Sequence, residues 1–202
     1  DGLIEADFVP LDSKSVRNII SQGGTMLKSA RSHAFRSPEG RAKAAANIAD
    51  HEIDGLLVIG GDGTFAGALK LSEEFGLPVV GIPGTIDNDL FGTDYTIGYD
   101  TASNTVVQSI DKIRDTANSH NRLFLVEVMG RDAGFIALSS GLATGAISII
   151  LPERTTTIDE LFAAIDLSAE RKKTSNIVVV AEGNRMGTPF ELADALQKHN
   201  AN

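Results

Sequence analysis

Short apolar runs rich in Val, Ile and Leu recur along the chain, and segments of helical length separate them. Such runs are typical of strands that are buried on both faces of a sheet. The segments between them carry apolar residues at three- and four-residue spacing, as at Val106, Ile110 and Ile113, which is typical of helices packed on a core. The runs are 55–59, 79–82, 123–128, 147–151 and 177–181.

This alternation of strand and helix predicts an α/β fold, in which a doubly wound, mostly parallel sheet carries helices on both faces. Residues 13–21 and 41–51 also have helical spacing, but no strong strand precedes them, so the sheet is expected to open upstream of Asp1. Ligands bind at the carboxyl ends of the strands in sheets of this kind. The residues that follow each run are therefore the candidates for a functional site.

Charge and composition limit the partners of the chain. The formal net charge of −9 over 202 residues disfavours a general nucleic-acid or anionic-membrane surface, because both need an attraction to phosphate. The absence of cysteine excludes a disulfide framework and a thiolate metal site, and it is compatible with a reducing, cytoplasmic compartment. No apolar stretch reaches the roughly 18 residues that would span a bilayer. An anionic ligand must therefore be held by local groups.

The first motif, Gly-Gly-Asp-Gly-Thr at 60–64, follows the first apolar run and is expected to lead into a helix at about Phe65. Glycines let the backbone approach a phosphate, and the N–H groups at the start of a helix present partial positive charge to it. Asp62 would suit magnesium, which takes oxygen ligands and shares them with nucleotide phosphates. The alternative is a tight turn in which Asp62 only caps the helix.

The second motif, Pro-Gly-Thr-Ile-Asp-Asn-Asp at 83–89, directly follows the second run. Asp87 and Asp89 would suit a site that needs a general base beside a second positioned carboxylate. A simple turn is the alternative, because Asp, Asn, Gly and Pro also form loops through bonds to their own backbone. The neighbouring glycine-rich loop favours the functional interpretation, since two acidic loops at adjacent strand ends suit phosphoryl transfer.

Charged residues follow two further runs. Arg131 lies in Met-Gly-Arg-Asp-Ala-Gly at 129–134, where a guanidinium can bridge phosphate oxygens and offset the charge that develops during transfer. The alternative for Arg131 is a surface salt bridge. Glu182 directly follows the fifth run, and its carboxylate would either accept a hydrogen bond from a sugar hydroxyl or pair with Arg185.

In this order the three motifs resemble the 6-phosphofructokinase family, and the combination is highly specific to it. Further matches at 29–31, 92–98 and 113–122 extend the resemblance over nearly the whole chain. The resemblance implies ATP-dependent phosphorylation of fructose 6-phosphate at its 1-hydroxyl, a step of glycolysis that uses magnesium. It also implies a nucleotide- and magnesium-binding domain at 1–150, without its first strand, and the start of a sugar-phosphate-binding domain at 151–202.

The resemblance also implies roles for single residues of the motifs. Asp62 would position magnesium, Asp87 would take the proton from the sugar 1-hydroxyl as general base, and Arg131 would stabilise the transferring phosphoryl group. Asp89 would lie beside the reacting groups. Arg122 would reach the sugar phosphate of a neighbouring subunit, so that a homo-oligomer, expected to be a homotetramer, shares its active sites. Nucleotide contacts are implied for Arg31, Gly61, Gly63 and Thr64. Sugar contacts are implied for Thr85, Met129, Gly130 and Glu182, and a catalytic role is also implied for Thr85.

Gly63 and Gly84 favour ATP over pyrophosphate as the phosphoryl donor. Pyrophosphate-dependent members of the resembled family carry Asp and Lys at these positions, and an acidic side chain at 63 would repel the inner phosphate of a nucleotide. The family's first glycine-rich strand loop and its later His-x-Gln-Arg-Gly-Gly segment are absent from the sequence. The 202-residue chain by itself is therefore expected to be inactive or nearly so.

Nucleotide-effector control is expected to be weak or altered, because Ile147 stands where allosteric bacterial members of the family place a Glu. Arg114 and Lys173 match basic effector positions, although both also suit ordinary solvated charges. Two rival interpretations stay open. A kinase of the diacylglycerol-kinase or NAD-kinase type would share the first motif but not the other two. A catalytically silent nucleotide-binding subunit is disfavoured by the intact acidic and basic residues of all three motifs.

Overall fold

The structure, a computed structural model, describes residues 1–120 and 122–200. The chain divides into two compact units, Asp1–Ile82 and Pro83–Asn202. The elements up to the end of the first unit are helix α1 (Gly2–Glu5), a 3₁₀ turn (Ala34–Arg36), helix α2 (Pro38–Asp50), strand β1 (Leu56–Gly60), helix α3 (Asp62–Phe75) and strand β2 (Val79–Pro83). The elements that follow are α4 (Ile97–His120), β3 (Leu123–Val128), α5 (Phe135–Thr144), β4 (Ser148–Ile150), α6 (Ile158–Glu170), β5 (Asn176–Ala181) and α7 (Pro189–Asn200).

The alternation of strand and helix is confirmed. Each of the five predicted runs is a strand, and the observed ends differ from the predicted ones by at most one residue. The predicted helix at 41–51 is the greater part of α2. Local signals explain several helix ends: Ser37 accepts a hydrogen bond from the amide of Gly40 at 3.0 Å, and Thr157 forms a reciprocal capping box with Glu160 at the start of α6.

The prediction of a helix at 13–21 is wrong, because residues 13–18 form turns. The Asp12 carboxylate accepts hydrogen bonds from the amides of Lys14 and Ser15, at 3.0 and 2.8 Å. Asn18 adopts the left-handed conformation, with φ of 61°. Asp, Asn and Ser side chains that bond the nearby backbone compete with helix formation, so local turn chemistry prevails over the apolar spacing here.

In the first unit, β1 and β2 form a two-stranded sheet against which α3 packs. Strand β1 alternates between half-buried and exposed positions, and Leu57 and Ile59 are 61% and 54% exposed. Within the first unit, helix α3 packs against β1 and leaves Leu57 and Ile59 exposed, so burial of this strand on both faces stays a prediction.

In the second unit, β3, β5 and β4 form a parallel sheet in that order, with β5 in the middle. Ile177 and Val179 of β5 pack with α4 and α5, whereas Val178 and Val180 pack with α6 and α7. Helices thus cover both faces, which explains why β5 is apolar at every buried position. This part of the predicted α/β architecture is confirmed.

The predicted functional boundary between 150 and 151 stays a prediction. The compact units divide at 82 and 83, and Ile150 and Leu161, on either side of the predicted boundary, share one apolar cluster. None of the described helices is long and apolar enough to cross a membrane.

Candidate active site

The glycine-rich motif lies where β1 leads directly into α3. The helix begins at Asp62, three residues before the predicted start at Phe65. Gly61, in an extended conformation, is the N-cap, and Asp62 is the first helical residue, so the alternative in which Asp62 caps the helix is wrong. The Thr64 amide already donates to the Gly61 carbonyl at 3.0 Å, whereas the amides of Asp62 and Gly63 have no acceptor among the described residues. The turn therefore presents these two donors together with the positive end of the helix dipole.

The start of α3 has room for a ligand. Asp62, Gly63 and Thr64 are exposed, and a Cβ built on Gly63 meets nothing within 4 Å. Within the described ranges, the Asp62 carboxylate has no hydrogen-bond or ion-pair partner, and no group of three or more His, Cys, Asp or Glu could hold a metal. Magnesium often takes only one or two protein carboxylates together with substrate phosphates. A single free Asp62 at a phosphate-binding turn fits that pattern.

Arg31, the other predicted nucleotide contact of this unit, is exposed in the loop that precedes the 3₁₀ turn, and no described residue pairs with its guanidinium. The 3₁₀ turn itself packs on α3, since Phe35 lies 3.4 Å from the position of a Cβ on Gly67. The 3₁₀ turn that follows Arg31 in the chain therefore contacts α3, the helix that begins at Asp62.

Arg41 is the residue of this unit that sequence reasoning missed. It is 5% exposed, and its Nε and Nη2 donate hydrogen bonds to both carboxylate oxygens of Glu74, at 2.6 and 2.7 Å. Its Nη1 donates to the carbonyls of Phe35 and Arg36. The hydrogen bond between them raises the pKa of Arg41 and lowers the pKa of Glu74. Arg41 thus ties α2, α3 and the 3₁₀ turn together.

In the second unit, the Asp87 side chain is only 8% exposed and lies in the loop that follows β2. Burial raises the pKa of Asp87, and the nearby Asp89 carboxylate raises it further. The Arg131 guanidinium and a hydrogen bond from Thr85 lower this pKa, and Glu182 raises it. Thr85, Asp89, Arg131 and Glu182 thus lie near enough to act on the Asp87 carboxylate, and these five predicted residues come from three different loops.

The loop around Asp87 is shaped by Asn88. Its backbone is left-handed, with φ of 58°, and its Oδ1 accepts a hydrogen bond from the amide of Thr96 at 2.8 Å. Its Nδ2 donates to the carbonyl of Asp94. A groove of about 520 Å³ lies beside this loop. The turn buries Asp87 and leaves Asp89 exposed, so the two carboxylates have different environments.

The Arg131 loop follows β3 and lies beside the end of β5. The pairing of Val128 with Ala181 brings Glu182 next to this loop, and Glu182 Oε1 accepts hydrogen bonds from the amides of Gly130 and Arg131 at 3.2 and 2.6 Å. No ion pair within the described ranges engages Arg131, and Glu182 does not pair with Arg185 there. The salt-bridge alternatives for Arg131 and Glu182 are therefore not supported by the structure.

Met129 and Gly130, the predicted sugar contacts of this loop, differ in exposure: Met129 is 61% exposed and Gly130 is buried. Arg122 is exposed just before β3, and its amide donates to the carbonyl of Ala117 at 3.4 Å. Its predicted role involves a second subunit and stays a prediction.

The predicted regulatory positions are in the same unit. The Arg114 guanidinium donates hydrogen bonds to the Ser175 hydroxyl at 2.9 Å and to the Thr144 carbonyl. Ile147 packs against the apolar cluster between the sheet and α6, and Lys173 is exposed. Arg114 thus has partners inside the unit, which a solvated charge would lack.

The family model for phosphofructokinase matches residues 1–202. ATP-dependent 6-phosphofructokinase 1 of Thermus thermophilus is 56% identical over 198 residues, which make up 98% of this chain and 62% of that protein. The chain therefore spans about three fifths of the length of the curated relatives it matches.

Solved structures agree in fold. Phosphofructokinase from Pichia pastoris in the T-state superposes with a TM-score of 0.91 at 36% identity, over 98% of this chain and 24% of that one. A pyrophosphate-dependent phosphofructokinase from Marinobacter aquaeolei gives a TM-score of 0.75 at 25% identity, over 89% of this chain and 48% of that one.

Proposed function

The chain belongs to the phosphofructokinase family, and we propose that the whole protein transfers a phosphoryl group from ATP to the 1-hydroxyl of fructose 6-phosphate, as in glycolysis. The observation that carries the proposal is the buried Asp87 carboxylate with Asp89, Arg131 and Glu182 in electrostatic range. This combination of a secluded base with a nearby unpaired guanidinium suits transfer of a phosphoryl group to a hydroxyl.

Asp87 is the proposed general base. A carboxylate whose pKa is raised by burial and by Asp89 holds a proton more strongly, so it is a better acceptor for the proton of a hydroxyl. Thr85 restrains it, because the amide of Asp87 donates a hydrogen bond to Thr85 Oγ1 at 3.2 Å. This bond restrains the backbone that carries the Asp87 carboxylate.

Arg131 is the proposed stabiliser of the transferring phosphoryl group. Its guanidinium has no carboxylate partner among the described residues, so phosphate oxygens would not have to displace one. Glu182 uses Oε1 for the loop amides, and we assign the sugar hydroxyl to its Oε2, which no described donor occupies. Met129, Gly130 and Thr85 complete the proposed sugar contacts.

The nucleotide is assigned to the first unit, with contacts from Arg31 and from the turn that contains Gly61, Gly63 and Thr64. Asp62 would hold magnesium, which neutralises phosphate charge when bound. The open space at Gly63 supports ATP as donor, as does the higher identity to ATP-dependent relatives than to the pyrophosphate-dependent structure. A cytoplasmic homotetramer in which Arg122 serves a neighbouring active site is part of the same proposal and rests on the family.

The test measures fructose 1,6-bisphosphate formation by the whole protein, with ATP or pyrophosphate as donor. Asp87→Asn is expected to lower kcat by about 10²- to 10⁴-fold, because it removes a positioned base. Asp166→Asn, which changes an exposed carboxylate on α6, is the matched control and should keep wild-type turnover. The 202-residue chain by itself is included as a proposed inactive form.

Each alternative gives a distinct result. Turnover with pyrophosphate alone would contradict the assignment of the donor. Full activity of the Asp87→Asn variant would contradict the assignment of the base. Binding of magnesium and ATP without turnover by the wild type would contradict the proposed activity and favour a silent nucleotide-binding subunit.

A further inference from the structure

The loop that carries Arg131 is held at both ends by carboxylates from other parts of the second unit. At its start, Glu182 Oε1 accepts hydrogen bonds from the amides of Gly130 and Arg131. At its end, Glu153 Oε1 accepts a hydrogen bond from the amide of Gly134 at 2.7 Å. Glu182 already has a place in the proposed site, whereas Glu153 has none.

The loop needs such support because its own geometry is unfavourable. Arg131 has φ of 54° and Gly130 has φ of 148°. A residue with a Cβ adopts the left-handed conformation only at an energetic cost, and it stays there when its surroundings hold it. Inside the loop, the amide of Ala133 donates to the carbonyl of Gly130 at 3.0 Å. The remaining restraint comes from outside.

Glu153 fits closely over the end of the loop. It follows β4 after Pro152, and its Oε2 lies 2.6 Å from the position that a Cβ on Gly134 would take. Leu151 Cδ2 lies 2.7 Å from the same position. Gly134 is also the N-cap of α5, where a negative charge interacts favourably with the helix dipole. Only glycine leaves room for this carboxylate.

We propose that Glu153 is a positioning residue for phosphoryl transfer: its carboxylate holds the amide of Gly134 and thereby fixes the loop that presents Arg131 to the site of Asp87. This inference rests on the proposed function. Glu153 touches neither Asp87 nor the Arg131 side chain by any hydrogen bond, so it acts through the backbone of the loop. Its loss lets the loop relax from the left-handed turn and moves the guanidinium away.

Movement of the Arg131 guanidinium would change the pH dependence of the reaction, whereas a general loss of folding stability would not. The charged groups that act on Asp87 are Asp89, Arg131 and Glu182, and of these Arg131 alone lowers its pKa. When the guanidinium moves away, the pKa of Asp87 rises further. The base then loses its proton only at higher pH, so the acidic limb of the kcat/KM profile moves to higher pH.

The test compares three variants of the whole protein. Glu153→Ala removes the acceptor, Glu153→Gln keeps an acceptor oxygen without the charge, and Arg154→Ala removes the neighbouring exposed charge that pairs with Glu160. Glu153→Ala is expected to lower kcat by about 10- to 100-fold, as a misplaced catalytic group does, and to move the acidic limb upward. Glu153→Gln should recover most of the activity, and Arg154→Ala should match the wild type.

Hydrogen exchange provides a readout that does not depend on turnover. In Glu153→Ala, the amides of 130–134 should exchange at least about tenfold faster, while those of β5 keep their protection. If the wild type fails to phosphorylate the sugar, the proposed function fails, and the exchange result still decides whether Glu153 holds the loop at 130–134. Unchanged exchange at 130–134, or a kcat within twofold of wild type in Glu153→Ala, would overturn the inference.

Discussion

Gly183 lies directly behind the Arg131 loop and offers a sharp test of how closely the second unit is packed there. A Cβ at Gly183 would lie 2.0 Å from the Arg131 carbonyl oxygen, 2.9 Å from its carbonyl carbon and 3.0 Å from Asp132 Cα. All of these atoms belong to the backbone, so rotation of a side chain cannot relieve the overlap. Gly183→Ala must therefore push the loop away from β5.

The size of the effect follows from these distances. Cβ contacts under 3.0 Å are essentially never seen, so the Arg131 carbonyl has to move by at least about 1.0 Å, the difference between 3.0 and 2.0 Å. A displacement of about 1 Å in a catalytic group can cost on the order of 10²-fold in rate. At about 1.36 kcal/mol per factor of ten, this corresponds to about 2.7 kcal/mol of transition-state stabilisation.

The assay is steady-state phosphorylation of fructose 6-phosphate by the whole protein, together with thermal unfolding of the same samples. Gly23→Ala is the matched control, because a Cβ there meets nothing within 4 Å. We expect kcat of Gly183→Ala to fall by about 10²-fold while the control keeps wild-type turnover. A Gly183→Ala variant with kcat within about threefold of wild type would refute the argument that the loop cannot yield without cost to catalysis.

Three further changes test the core, the electrostatics and a helix end. Leu161→Ala, in a fully buried side chain, should lower the free energy of unfolding by about 2–5 kcal/mol in urea titrations, whereas Leu167→Ala, at a position 45% exposed, should cost much less. Asp89→Asn removes a charge that raises the pKa of Asp87, so the acidic limb of kcat/KM should move to lower pH; an upward shift would contradict the electrostatic account. Thr157→Ala removes the capping box of α6 and should cost about 1 kcal/mol, measured by thermal unfolding.

Local patterns predicted much of the fold. Strand β5 was predicted from its continuous apolar run at 177–181. Helices cover both faces of the sheet there, so neither face of the strand needs polar side chains. The turn at 13–18 was not predicted, because the hydrogen bonds that the Lys14 and Ser15 amides donate to the Asp12 carboxylate compete with the helix that apolar spacing favours. The start of α3 at Asp62 was also missed, since glycine inside a helix weakens the local signal.

From its local patterns the sequence specifies the strand and helix alternation and the residue types at the strand ends, because both depend on near neighbours in the chain. It identified Asp87, Arg131 and Glu182 as candidates, but not what each one touches. The hydrogen bonds that the Gly130 and Arg131 amides donate to Glu182 join residues 52 and 51 positions apart, and the one that the Gly134 amide donates to Glu153 spans 19 positions. These contacts follow from the packing of the whole unit, because burial of its apolar strands and helices sets the strand order β3, β5, β4 and so brings the loops at their ends together.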